Sequence, residues 1–129
     1  YVGQGSEYTS LLSEAVDGLG DRDDGLKVRL LQALTKTGYF LNPERCLDAS
    51  AEALALARRL GDRSLICASV LNRSEALGWT DERAEQRALV REANEIAQHH
   101  SVSALERGAA LRFAAHESYD RKLGNERLR

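Results

Sequence analysis

Apolar residues along this chain recur every three or four positions, in blocks closed by Gly, Asn, Asp or Pro, which is the spacing of one face of an α-helix. The first block predicts a helix from about Tyr8 to Leu19, with Leu12, Ala15, Val16 and Leu19 on one face and Gly20 placed for a left-handed C-cap. A second opens near Gly25 after Asp23 and Asp24, whose charge suits a helix N-terminus, and carries Leu26, Leu30, Ala33, Leu34 and then Leu41. Asn42-Pro43 is an N-cap followed by a first-turn proline, and it starts a third helix that Gly61 stops after Leu60. Asp62 caps a fourth, ended by Gly78, and Thr80 caps a fifth with Asp81 and Glu82 in its first turn. Ser103 and Glu106 have capping-box spacing and open a sixth, which runs to Leu123 and Gly124. Asn125 has the look of the cap of a seventh, cut short at Arg129.

The connections are a few residues long, so consecutive helices must return along one another as antiparallel neighbours. A bundle and a stacked array both satisfy that, and internal repetition separates them. Leu19-Gly20-Asp21-Arg22 recurs as Leu60-Gly61-Asp62-Arg63, Ala57 corresponds to Ala97, Leu65 to Leu105 and Leu71 to Leu111. Asn42, Thr80 and Asn125 stand at equivalent helix starts. The period is about 40 residues, two helices per unit. The expected fold is all-α, a right-handed α-solenoid of antiparallel pairs with about six helices, forming one domain over 1–129.

Composition fits that expectation. The 129 residues are 43% hydrophobic and 29% charged, enough apolar content to offset the entropy of ordering a core. Aromatics make up only 5%, so Leu and Ala must build the interior, and both are strong helix formers. A net charge of −2 argues against direct nucleic-acid binding, which rests on neutralising phosphates. No stretch has the roughly 18 apolar residues that a membrane span needs, and no signal peptide opens the chain, which implies a cytoplasmic setting. Cys46 and Cys67 fall within helices, where a buried thiol acts as a small hydrophobe. The chain opens on Tyr1 and holds no Met, which suggests an internal fragment of a larger protein.

The stretch Ala53-Leu54-Ala55-Leu56-Ala57-Arg58-Arg59-Leu60-Gly61-Asp62 resembles the second-helix ending of tetratricopeptide-like repeats, in particular those of large bacterial regulators of the MalT and LuxR type. The segments from Ala68 to Leu77 and from Glu95 to Ala97 are similar to the same family, especially its actinobacterial members. That resemblance implies a signalling ATPase or transcriptional regulator whose helical repeats sense a partner beside an ATP-binding switch domain, often with a helix-turn-helix. Three features depart from the pattern. Ordinary repeats of this kind have a period near 34 residues, the third unit carries Ser101-Val102 where Gly-Asp is expected, and Gly108 sits inside its next helix.

Candidate chemistry is sparse. No Gly-rich run leads into Lys-Ser or Lys-Thr, so this segment holds no phosphate-binding loop and calls for no cofactor. His99 and His100 are adjacent on a helix, about 100° apart, and cannot both face one metal ion. The serines lie within helices rather than on the strained turn that exposes a hydrolase nucleophile. A dyad of Cys67 with a remote His is less economical than a core cysteine. The expectation is no enzyme.

In stacked helix pairs the first helices line the concave side. Here these are the second, fourth and sixth, and their polar positions are Lys36, Tyr39, Asn72, Arg73, Arg112, His116 and Tyr119. Such a row could grip a carboxylate or a peptide backbone, as the planar guanidinium does. It also reads as solvated helix surface paired with Glu75 or Glu117. Trp79, in a turn, suits a hydrophobic staple and, if exposed, a partner anchor. The expected partner is a protein or small effector, together with neighbouring domains of a parent chain. A free-standing interaction scaffold and a ligand-binding or catalytic helical domain are the alternatives. A homodimer through exposed solenoid ends is a further expectation.

Overall fold

The computed structural model describes residues 2–21, 24–38, 41–78 and 80–98. These form five helices and no strand: α1 (Val2–Leu19), α2 (Gly25–Gly38), α3 (Pro43–Leu60), α4 (Arg63–Leu77) and α5 (Arg83–Gln98). The expected sixth and seventh helices lie outside the described residues, as do Trp79, His99 and His100.

Local chemistry sets most of the boundaries. Asn42 Oδ1 accepts from Arg45 N at 3.1 Å, Pro43 fills the first turn, and Gly61 at φ 72° donates its N–H to Ala57 O at 3.1 Å. Only glycine adopts that left-handed geometry without steric cost. Asp62 Oδ1 accepts from Leu65 N at 3.1 Å and starts α4. The earlier copy of the same Leu-Gly-Asp-Arg run behaves differently. Gly20 again turns left-handed, at φ 57°, but the cap of α2 is Asp24, whose Oδ1 accepts from Lys27 N at 3.1 Å. The first connection thus carries extra residues before its helix starts.

Three expected boundaries need correction. α1 starts at Val2 rather than near Tyr8. α2 stops at Gly38, leaving Leu41 in the turn, because Pro43 keeps Asn42 out of helical backbone (φ −149°, ψ 80°) and Leu41 N and Asn42 N both close onto Gly38 O. Thr80 does not sit next to α5. Its hydroxyl accepts from Glu82 N at 3.2 Å and donates to Leu77 O at 2.8 Å, and the helix opens at Arg83.

Successive helices pack on one another, and partners run in opposite directions along each pair. Between α2 and α3, Thr35 meets Cys46 O while Lys27 meets Glu52. Between α4 and α5, Gln86 donates to Ser74 O while Cys67 lies against Ala93. Among the described residues one further contact skips a helix: α2 lies directly against α4. These two run parallel, for the start of α2 at Gly25 meets Leu65 and its middle at Gln32 meets Ser69 and Asn72.

The interior divides into two clusters. Leu12 and Val16 of α1 join Val28, Leu31 and Leu34 of α2, and Ala49, Ala53, Leu56 and Ala57 of α3. Cys67, Val70, Leu71 and Leu77 of α4 join Leu89, Ala93 and Ala97 of α5, with Leu47 and Leu54 of α3 against them. α3 therefore serves both clusters with different faces. Each fully buried leucine contributes about 1.5–3 kcal/mol. Among the described residues no helix is long and apolar enough to cross a membrane.

Candidate functional site

The α2–α4 contact is where polar side chains gather. Gln32 Nε2 donates to Ser69 Oγ at 2.9 Å, and Asn72 Nδ2 donates to Gln32 O at 3.2 Å. Asn72 is only 3% exposed, and its Oδ1 finds no hydrogen-bond partner within the protein. These three residues form a seam that ties the parallel helices at a fixed register.

On α2 the seam continues outward. Arg29 and Lys36 stand three and four residues from Gln32, on the same side of the helix, and both are exposed. α2 carries Lys27, Arg29 and Lys36 and no acidic residue. Lys27 is turned away toward α3, where its Nζ donates to Gly20 O at 2.7 Å and faces Glu52 Oε1 at 3.5 Å. Arg29 and Lys36 are left as a basic margin along the seam.

Of the side chains expected on one concave row, the structure separates two neighbours. Asn72 lies buried in the seam, whereas Arg73, about 100° further round α4, reaches the other way. Its Nη1 donates to Leu47 O at 2.9 Å and Ser50 Oγ at 3.1 Å, and its Nε faces Glu85 Oε1 at 3.6 Å. Arg73 is thus engaged with α3 and α5 rather than turned to the seam. Lys36 is on the expected side. Tyr39, Arg112, His116 and Tyr119 lie outside the described residues.

Gln32, Ser69 and Arg29 were absent from the expected row. The spacing of Arg29, Gln32 and Lys36 is the signal that could have found the α2 members. Ser69 offered none, because polar and apolar residues are spread around α4 and its faces cannot be told apart by pattern.

The odd-numbered helices are joined differently. Among the described residues, α3 and α5 are bridged at the surface by Arg58, whose guanidinium grips both carboxylate oxygens of Glu92, with Nη2 to Oε2 at 2.9 Å. That bond holds the Arg58 pKa above its ordinary value. Asp17 and Arg45 bridge α1 and α3 at 3.6 Å. Long side chains span the odd helices, while the even ones touch through short polar groups.

Neither cysteine is in a disulfide, and both are buried. Burial pushes the Cys46 thiol up, partly countered by the nearby Arg45 charge. Its Sγ donates to Leu34 O at 3.4 Å, so it is held as a packing group in a setting that disfavours the thiolate. Among the described residues no cluster of three or more His, Cys, Asp or Glu could hold a metal ion.

No family model matches the chain, and neither a curated protein nor a solved structure does. The resemblance to repeats of the MalT and LuxR type therefore stands on the residues quoted for it.

Proposed function

We propose that this chain is a non-catalytic binding module, a tetratricopeptide-like right-handed α-solenoid that uses the side formed by α2 and α4 to hold a protein or small effector. One observation carries the reading: α2 and α4 lie parallel and in contact, with Asn72 bonded to the residue forty positions before it. Stacked helix pairs produce that relationship, since each first helix packs on the first helix of the next unit. In such an array the side on which first helices touch is the inner one, and the direct α2–α4 contact supports taking the seam as that side. Arg29 and Lys36 border that side, so the favoured occupant is acidic: a carboxylate-bearing effector or an acidic peptide segment.

Within a larger regulator, such a module would act by binding one state of a neighbouring switch domain better than the other, with the effector changing the balance. That part of the proposal derives from the resemblance alone. Reading the coding frame on both sides of the segment tests it. A phosphate-binding loop in frame, with a helix-turn-helix or cyclase domain, supports the regulator; a short frame with neither leaves a free-standing interaction scaffold.

The binding reading has its own test. Isotope-labelled protein is titrated with a panel of acidic peptides while backbone shifts are followed by NMR. Saturable shifts centred on Arg29, Gln32 and Lys36, weakened in Lys36→Glu, are expected. Shifts confined to α5, or none from any peptide, would overturn the assignment of this side as the binding face.

A further inference from the structure

We infer that the outer face of α1 is a docking surface for a basic amphipathic helix, which would seat on α1 as α2 seats on α3. The inference rests on the helix-pair reading above. Repetition places α1 and α3 in register, since each ends on a leucine followed by a left-handed glycine, Leu19-Gly20 and Leu60-Gly61. In that register Tyr8 corresponds to Ala49 and Ala15 to Leu56. On α3 those two positions are 0% and 1% exposed and belong to the cluster that α2 covers. On α1 the same arc lies open: Ala15 is exposed, Tyr8 is 53% exposed and Leu11 beside it 62%. The covered part of α1, Leu12 and Val16, is the part turned toward α2.

Charge supplies the second half of the inference. α1 carries Glu7, Glu14 and Asp17 and no basic residue. Glu7 and Glu14 lie four before and three after Leu11, so they border the open stripe. The helix seated on the corresponding face of α3 carries Lys27, Arg29 and Lys36 and no acidic residue, and its Lys27 pairs at 3.5 Å with Glu52, the α3 counterpart of Leu11. An apolar stripe edged by carboxylates selects an apolar stripe edged by lysine or arginine. Two copies of α1 facing each other would set Glu7 and Glu14 against like charges, which disfavours that pairing.

The probe is a fluorescent peptide of residues 24–38, held helical by a staple between positions 33 and 37, on the side away from Leu31. Anisotropy of this peptide with the 129-residue chain should show saturable binding below about 1 mM that weakens as salt is raised. Leu11→Ser, at an exposed position, should keep the helical circular dichroism and weaken binding by roughly fivefold, the worth of a half-buried leucine, since its α3 counterpart Glu52 stays 44% exposed. A peptide with both lysines changed to Glu should bind more weakly than the parent. Three outcomes would overturn the inference: no saturation, equal binding by Leu11→Ser, or equal binding of the Glu-substituted peptide. A dimer seen by sedimentation that Leu11→Ser dissolves would assign the face to a second copy and overturn it too. If contacts between α2 and α4 are demonstrated in solution while the peptide fails to bind, this inference falls and the helix-pair reading stands.

Discussion

Asn72 on α4 donates its side-chain amide to the main-chain carbonyl of Gln32 on α2 at 3.2 Å, across a separation of forty residues. A side chain bonded to the backbone of a parallel helix fixes both the distance and the register of the two. The carbonyl it uses belongs to a helix interior, so it has a second lone pair to offer without losing its own helical bond. The amide oxygen receives nothing in return.

That asymmetry separates two substitutions at this position. Asn72→Leu removes a buried, unpartnered acceptor together with one hydrogen bond, and the two effects offset to within about 1 kcal/mol. Asn72→Asp puts a carboxylate where there is no donor for it and should destabilise by about 3 kcal/mol at neutral pH, relieved in acid as it protonates. Urea unfolding midpoints at neutral and acidic pH distinguish them. Equal loss for both would show that the position is limited by shape rather than by polarity.

Arg73 holds three helices together through Leu47 O, Ser50 Oγ and Glu85. Arg73→Ala should cost about 2 kcal/mol in unfolding free energy, chiefly the charge-assisted bonds to α3. Arg73→Lys should recover little of it, since an ammonium lacks the planar fork that meets two acceptors and a carboxylate at once. Glu85→Gln should change stability by less than about 0.5 kcal/mol, because Glu85 is 46% exposed and its partner keeps the α3 bonds.

Two helical glycines should respond with opposite signs. A methyl group at Gly38 would stand 2.8 Å from Thr9 Cγ2 and 3.1 Å from Cys46 Sγ, where α1, α2 and α3 converge. Gly38→Ala should therefore lower stability, by about 1–3 kcal/mol. At Gly18 nothing lies within 4 Å of the added carbon, and Gly18→Ala should raise it by about 0.5 kcal/mol through the unfolded chain. Thermal unfolding of both variants checks the signs.

Cys46 predicts the alkaline limb of stability. Burial raises its pKa in the folded chain, so the folded state keeps the thiol proton while the unfolded chain releases it from about 9.0 upward. Stability is then whole below that value and falls as pH rises above it, because the unfolded state binds fewer protons. Unfolding free energies from neutral pH to alkaline pH should show the fall in the wild type and a smaller one in Cys46→Ala. Parallel curves for the two proteins would contradict the assignment.

The sequence was most informative where backbone chemistry acts locally. α3 could be read from Asn42-Pro43 to Gly61 because its cap, first-turn proline and left-handed stop are each set by a single residue. The two Leu-Gly-Asp-Arg runs could not be told apart that way, although Asp62 caps its helix and in the earlier run that role passes to Asp24. The choice depends on how Lys27 reaches Gly20 O and Glu52, a tertiary matter. The end of α2 followed from Pro43 acting backward on Asn42, eight residues after Leu34, the last strong apolar signal within the helix. The candidate side was legible on α2, which is amphipathic, and blurred on α4, whose apolar residues surround it. Asn72 and Arg73 were expected on one row and face different helices in the fold.

The most direct test of the helix-pair arrangement is a set of proton–proton NOEs between α2 and α4. The account predicts cross-peaks from Gly25 Hα to the Leu65 methyls and from the Asn72 side-chain amide to α2 protons at Gln32. Cross-peaks placing Leu65 and Asn72 against α3 and α5 alone, with none to α2, would contradict it.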